Sequence, residues 1–346
     1  MDCKKGISTS KTLNKDRKHE EVVDDRGQIL ALTSSKGGVG KTHLAVSLSA
    51  ALAKRNARVL LVDADQGNGI ISDRLGFYPK HNLAHFFLKE KALADLIEET
   101  PFSFFLIAGE RGNFALANPN YLQEMRFLRS FIEVSRNFDF VVLDLASGIR
   151  YPGIDFALLA EKTIIVTSPN DLISAYGSVR ACFSRFVQLE ATLFKRIEGY
   201  KARRFFRPLI LMNHITNLYQ GEAAFEALER AVEKGLSSAT GPFGIKMGHL
   251  GVVYHDPGLF KKSEDRQCPV SLVSVYSKVA ICVDSIARVI CARSPFRGFY
   301  REERLCYIVR VLMEQQDRLR KGLTQKVMKI PPIRIPPRHS SQSVAR

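Results

Sequence analysis

Short apolar runs and helical stripes alternate along the chain. Residues 29–33 (ILALT), 58–65 (RVLLVDAD), 138–148 (FDFVVLDLASG), 162–169 (KTIIVTSP), 206–214 (FRPLILMNH) and 249–256 (HLGVVYHD) are β-prone and almost continuously apolar at their centres. Runs of this kind fit strands buried on both faces. Between them, residues 119–136, 153–161, 171–193 and 219–235 place apolar side chains at helical spacing. Leu44, Ala45, Leu48, Ala51 and Leu52 do the same after the first run. Strands alternating with helices predict an α/β fold, a doubly wound and mostly parallel sheet with helices on both faces. Ligands of such sheets bind at the carboxyl ends of the strands.

The pattern is helical again from Ser274 and breaks at residues 294–300 (SPFRGFY). Over 301–328, Leu305, Ile308, Val309, Leu312, Leu319, Leu323 and Val327 form one stripe, with Arg310, Glu314, Asp317 and Lys321 opposite. Four segments follow: a polar leader over 1–27, a main α/β body over 28–293, a basic amphipathic helical extension over 294–330 and a Pro-rich disordered tail over 331–346. The leader has no apolar centre and does not read as a signal peptide. No apolar run approaches the roughly 18–20 residues of a membrane span.

Charge changes the picture of the ends. The formal net charge is +16. Residues 285–346 carry 14 Lys and Arg against 4 Asp and Glu, and residues 195–207 (KRIEGYKARRFFR) carry 6 against 1. The body is therefore near neutral, with basic appendages that suit a phosphate-rich or acidic partner. A solubilising surface is the alternative for each patch. The 6 cysteines are scattered without a C-x-x-C pair, which fits a reduced cytoplasmic chain and argues against a metal cluster.

Residues 34–43 (SSKGGVGKTH) join the first strand to the first helix, the setting a phosphate-binding loop requires. Gly37, Gly38 and Gly40 let backbone N–H groups turn inward around Val39. The helix start adds the N–H groups of Lys41, Thr42 and His43 and its positive dipole end. Lys41 can reach β- and γ-phosphate oxygens, and the Thr42 hydroxyl can hold Mg²⁺. Two features depart from the usual G-x-x-x-x-G-K-[ST] loop. Ser35 stands where the first glycine belongs, and a second lysine, Lys36, lies inside the loop. One lysine already neutralises the phosphates within the subunit. Lys36 would be useful on the nucleotide of a second subunit, as an arginine finger is in trans; a solvated loop lysine is the alternative. Asp63, Asp65 and Asp144 end apolar runs, and three such strand ends would give the loop its carboxylates. His43, His81 and His214 lack partners at metal spacing and read as packing or surface residues.

KGGVGKT (36–42) resembles the deviant phosphate-binding loop of the MinD/ParA ATPases. The resemblance extends over about residues 27–290, through VLLVDADQGNGIISDRLG (59–76), NLAHFFLKEKALADLI (82–97), FFLIAGERG (104–112), FDFVVLDLASGI (138–149) and DFALLAEKTIIVTSPNDLISAYGSVRA (155–181). The spacing is most similar to the MinD-like regulators of flagellar number and placement, FlhG and FleN. The resemblance implies an ATP-sandwich homodimer in which Lys36 crosses the interface. It implies that Lys41 and Thr42 hold phosphate and Mg²⁺, that Asp65 positions the attacking water, that Asp63 supports the Mg²⁺ shell, and that Asp144 binds Mg²⁺ through water. It places Asn213 where the family has an adenine-reading asparagine, and Asp256 near the last turn on the nucleotide side. LASG (145–148) replaces the family's more usual G-A-G.

The implied function is an ATP-binding, weakly hydrolysing switch that dimerises with ATP and controls the placement or number of a cellular structure, flagella first. The basic extension would meet an anionic membrane surface or a protein, making the chain cytoplasmic and peripheral at the inner membrane face. A ParA-type partition ATPase binding DNA without sequence preference is the alternative, with the basic segments as its grip.

Overall fold

The structure is a computed structural model and describes residues 27–34, 36–65, 69–112, 121–148, 151–196, 200–236 and 242–292. The leader up to residue 26, the extension over 294–330 and the tail over 331–346 lie outside the described residues. The strands are β1 (Gln28–Thr33), β2 (Val59–Ala64), β3 (Glu98–Glu99), β4 (Phe105–Ile107), β5 (Phe140–Leu145), β6 (Lys162–Thr167), β7 (Phe205–Phe206), β8 (Leu209–Ile215), β9 (Gly244–Ile245) and β10 (Gly248–Tyr254). The helices are α1 (Lys41–Ala53), α2 (Ile71–Leu75), α3 (Leu83–Phe87), α4 (Tyr121–Ser135), α5 (Tyr151–Leu159), α6 (Leu172–Arg196), α7 (Leu218–Leu236), α8 (Pro257–Asp265), α9 (Val270–Val273) and α10 (Lys278–Ala292).

Eight strands form one sheet in the order β10-β8-β6-β1-β5-β2-β4-β3. Every neighbouring pair is parallel except β3 with β4. β1 lies inside, and every one of its residues is buried. Ile29 and Ala31 face a core completed by α4, α5, α6 and α7. Leu30 and Leu32 face the other core, under α1 and α10. Burial on both faces is why the strand sequences are continuously apolar rather than alternating. Each such leucine contributes roughly 1.5–3 kcal/mol by burial.

The long elements fall where periodicity predicts them, with ends displaced by a few residues. β4 has three residues, α2 and α3 five each, too short for a period to register. Residues 146–148 are not strand: β5 ends at Leu145 and LASG turns away. Phe206, read with β8, pairs instead with Ile245 in a separate two-stranded sheet. Asp256 caps α8, its Oδ1 accepting the Leu259 N–H at 2.9 Å. That is a structural task.

Candidate nucleotide site

The sheet order brings the candidate residues together. β6, β1, β5 and β2 are successive neighbours. Their carboxyl ends carry, in turn, Asp171, the glycine loop, Asp144, and Asp63 with Asp65. β2 and β5 are in register with Asp63 opposite Asp144. The three aspartates thus come from two strands, not three, because Asp65 lies just past the end of the strand that holds Asp63.

Gly40 is the N-cap of α1, at φ 82°, and no side chain caps the helix. The first N–H groups of α1 therefore face the loop bare, as an anion site requires. Gly38 also has φ 82°, and a Cβ on Gly37 or Gly38 would meet nothing within 4 Å. The protein does not fill this space, so the glycines leave a cradle open. Lys41 reaches across it. Its Nζ lies 2.5 Å from Asp144 Oδ1, and both side chains are buried. Thr42 is half-buried in the same turn.

Asp63 is buried, with Oδ2 accepting the Ile71 N–H at 3.1 Å and Oδ1 without a hydrogen-bond partner. Burial, reinforced by the charge of Asp144, pushes its carboxyl up to about 7. Burial also raises Asp65; Lys41 opposes that and Asp144 adds to it. A group of carboxylates held out of water, one with an orphaned oxygen, is short of positive charge. These oxygen donors and the Thr42 hydroxyl suit a hard cation such as Mg²⁺. Among the described residues no three His, Cys, Asp or Glu side chains are spaced to hold a metal by themselves. A cation here would take its contacts from Thr42, phosphate and water, with the aspartates behind.

Asn213 lies on β8. It is fully buried under the loop, and its Nδ2 donates to the Val39 carbonyl at 2.8 Å. One of the two Nδ2 hydrogens is thus engaged with the loop. The carbonyl half has no partner and can accept from an exocyclic amine. The His43 side chain packs outward. Its Nε2 lies 2.6 Å from Arg74 Nη1 and 3.3 Å from Glu264, with the Phe260 ring edge-on at 5.1 Å. Burial, aided by Arg74, pushes it down to about 4. Only its backbone can serve the loop.

Lys36 is 62% exposed at the rim, with Nζ 2.9 Å from Asp171 Oδ1. Asp171 was not singled out from the sequence; only the adjacency of β6 and β1 reveals it. The contact between Ser34 and the LASG turn is likewise visible only in the fold. The Ser34 carbonyl accepts the Gly148 N–H at 2.8 Å, and Ser34 Oγ lies 3.3 Å from Ser147 Oγ. The loop is therefore tied to the turn that follows Asp144.

Residues 27–194 match the AAA domain family. The antiactivator FleN of Pseudomonas aeruginosa is 26% identical over 75% of this chain and 85% of its own length. The flagellum site-determining protein YlxH of Helicobacter pylori is 24% identical over 72% of this chain and 77% of its own. These similarities support a MinD/ParA-type P-loop ATPase. The fold is that of the septum site-determining protein MinD of Pyrococcus horikoshii, solved with Mg-ADP: TM-score 0.56, 20% identity, 79% of this chain and 99% of that one.

Proposed function

We propose that this ATPase is a dimerisation switch that sets the placement or number of a cellular structure, most specifically flagella. The observation that carries the reading is the pair of loop lysines. Lys41 is buried against Asp144, while Lys36 leaves the same loop toward solvent. In this reading Lys41 serves its own nucleotide and Lys36 a neighbour's. The names of FleN and YlxH, each similar over more than two thirds of the chain, support the flagellar branch.

In this reading the N–H groups of residues 37–43 and the Lys41 ammonium bind the ATP phosphates. Mg²⁺, when bound, supplies charge neutralisation between them. Thr42 would hold it, Asp144 would orient its water, and Asp63 would support that shell. Asp65, at the open end of β2, orients the attacking water. Lys36 stabilises the charge that develops on the neighbouring subunit's phosphate. Hydrolysis removes that charge and the dimer parts. The basic extension over 294–330 carries the output, to an anionic inner-membrane surface or a protein partner.

A second reading, a ParA-type partition ATPase, is favoured by one observation. Lys201, Arg204, Arg207 and Lys246 are exposed around Phe205, before β8 and β10 begin and hence at the edge of the sheet away from the loop. Such a surface suits a nucleic-acid backbone.

One experiment tests both. The full chain with Asp65→Ala is sedimented with anionic liposomes and with duplex DNA, in Mg-ATP and in Mg-ADP, over a salt series. An ATP-dependent dimer that binds liposomes, and loses them on removal of residues 301–346, supports the switch. Salt-sensitive, ATP-dependent DNA binding supports partition. A variant that binds Mg-ATP normally and stays monomeric rules out the switch.

A further inference from the structure

Lys36 already has a partner within its own subunit. β6 lies beside β1, so the turn after β6 (Pro169–Asp171) opens beside the loop after β1. That is how Asp171 comes within 2.9 Å of Lys36 Nζ. Asp171 is itself fixed. Its Oδ2 accepts from Ser168 Oγ at 3.0 Å, its N–H donates to the Ser168 carbonyl at 3.0 Å, and Ser168 is buried. The more exposed member is the lysine, with 62% exposure against 19% for the aspartate. The contact holds the Asp171 carboxyl below its ordinary range, the Lys36 hydrogen bond being the largest cause.

We propose that Asp171 is a latch in cis on Lys36, keeping the ammonium on its own subunit until a second copy's nucleotide phosphates compete it away. The proposal rests on the dimer reading above and adds what sets the dimerisation threshold. An exposed ion pair is weak, so the latch biases the lysine and does not block it. A triphosphate, with several charges on adjacent oxygens, outcompetes one carboxylate; a diphosphate, lacking the γ group, offers Lys36 less. A latch of ordinary surface strength leaves Lys36 free roughly one fifth to one half of the time. Apparent affinity falls by that fraction, and a symmetric dimer needs two freed lysines, so the factors multiply to about four- to twenty-five-fold.

The test uses the full-length chain with Mg²⁺ and a non-hydrolysable ATP analogue. Sedimentation velocity gives the dimer Kd of the parent, Asp171→Asn and Asp171→Glu. The expected result is a Kd about four- to twenty-five-fold lower for Asp171→Asn, a parent-like Kd for Asp171→Glu, and a gap that narrows at high salt as the pair is screened. An unchanged or higher Kd for Asp171→Asn overturns the latch. A second readout needs no dimer: pulsed acylation of the Lys36 amine in the nucleotide-free monomer, read by mass spectrometry. Asp171→Asn should raise labelling about two- to fivefold. Equal labelling beside normal dimerisation overturns the latch alone. Raised labelling in a chain that never dimerises with saturating analogue overturns the dimer reading, and the latch as a regulator with it.

Discussion

Lys41 and Asp144 share a buried ion pair, Nζ to Oδ1 at 2.5 Å, across the space where phosphate would sit. Each neutralises the other in the absence of ligand. ATP can draw the lysine away only if Asp144 does not remain as a bare buried charge. A divalent cation arriving with the phosphates solves that problem, so Mg²⁺ and ATP should bind as a unit.

The first prediction follows from that pair. ATP affinity in excess chelator should fall at least about tenfold below that in Mg²⁺, the order of one strong electrostatic contact. Lys41→Ala should abolish productive binding. It should also lower the stability of the nucleotide-free protein by ~3 kcal/mol or more, because it strands Asp144. Fluorescent-nucleotide titration and urea unfolding measure the two effects. Equal affinity with and without Mg²⁺ would show that ATP leaves the ion pair intact.

The second concerns Gly40 and Asn213. A Cβ on Gly40 would stand 2.4 Å from Asn213 Nδ2, at a φ of +82°. Gly40→Ala should therefore cost through both clash and backbone strain, ~2–4 kcal/mol together. Asn213→Ala removes the clash and leaves the Val39 carbonyl unpaired, about 1–3 kcal/mol. The double variant should be less damaged than the sum, by ~1 kcal/mol or more. Nucleotide choice reads the other half of the amide. If its unpartnered oxygen meets the base, it would accept from the adenine amine and oppose the guanine carbonyl oxygen. ATP should be preferred over GTP, and Asn213→Ala should erase most of that preference. If the variant weakens both nucleotides equally, Asn213 only braces the loop.

What the sequence made legible is what the backbone dictates locally. Gly40-Lys41-Thr42 between a buried strand and a helix is a chemical requirement written in adjacent residues. So is the apolar run before Asp144. The rest depends on pairings the chain makes at long range. Asp171 meets Lys36 from 135 positions away, and Asn213 meets Val39 from 174. Neither partner has a local pattern that marks it. Asp171 sits in a short turn that would look the same with Asn or Ser. The Asn213 contact is hidden for the same reason: one amide N–H is taken by a carbonyl that only the closed sheet brings near.

The third prediction lies on the helices behind the site. Arg185 on α6 binds Asp155 on α5 with two hydrogen bonds, Nε to Oδ1 at 2.8 Å and Nη2 to Oδ2 at 3.2 Å, and both residues are buried. Burial raises the Asp155 carboxyl and Arg185 partly offsets that. Arg185→Leu removes the offset. The loss should reach ~3 kcal/mol or more at pH 8, where Asp155 must ionise unpaired or take up a proton. It should shrink toward pH 5, where protonation costs less. Adding Asp155→Asn should recover much of it. Unfolding at two pH values checks this; a loss independent of pH would mean that packing, not charge, is what Arg185 supplies.

The last prediction concerns Asp63, which the protein keeps at a cost to its stability. Its folded carboxyl titrates at about 7, against 3.8 ordinarily. Between those values the folded chain holds a proton that the unfolded chain has lost. Stability therefore falls as pH rises through this window and stays lower above it. Asp63→Asn removes the titration while keeping an oxygen to accept the Ile71 N–H. The variant should be more stable than the parent by about 1–4 kcal/mol at pH 8, without nucleotide, and by less than ~1 kcal/mol at pH 4. If Asp63 supports a Mg²⁺ shell as proposed, the ATPase rate of the variant should drop. A residue that destabilises the resting protein and supports turnover is one whose charge awaits a ligand. Chemical denaturation at both pH values, beside a turnover assay, decides it. A variant less stable than the parent at pH 8 would show that Asp63 is already compensated in the empty site.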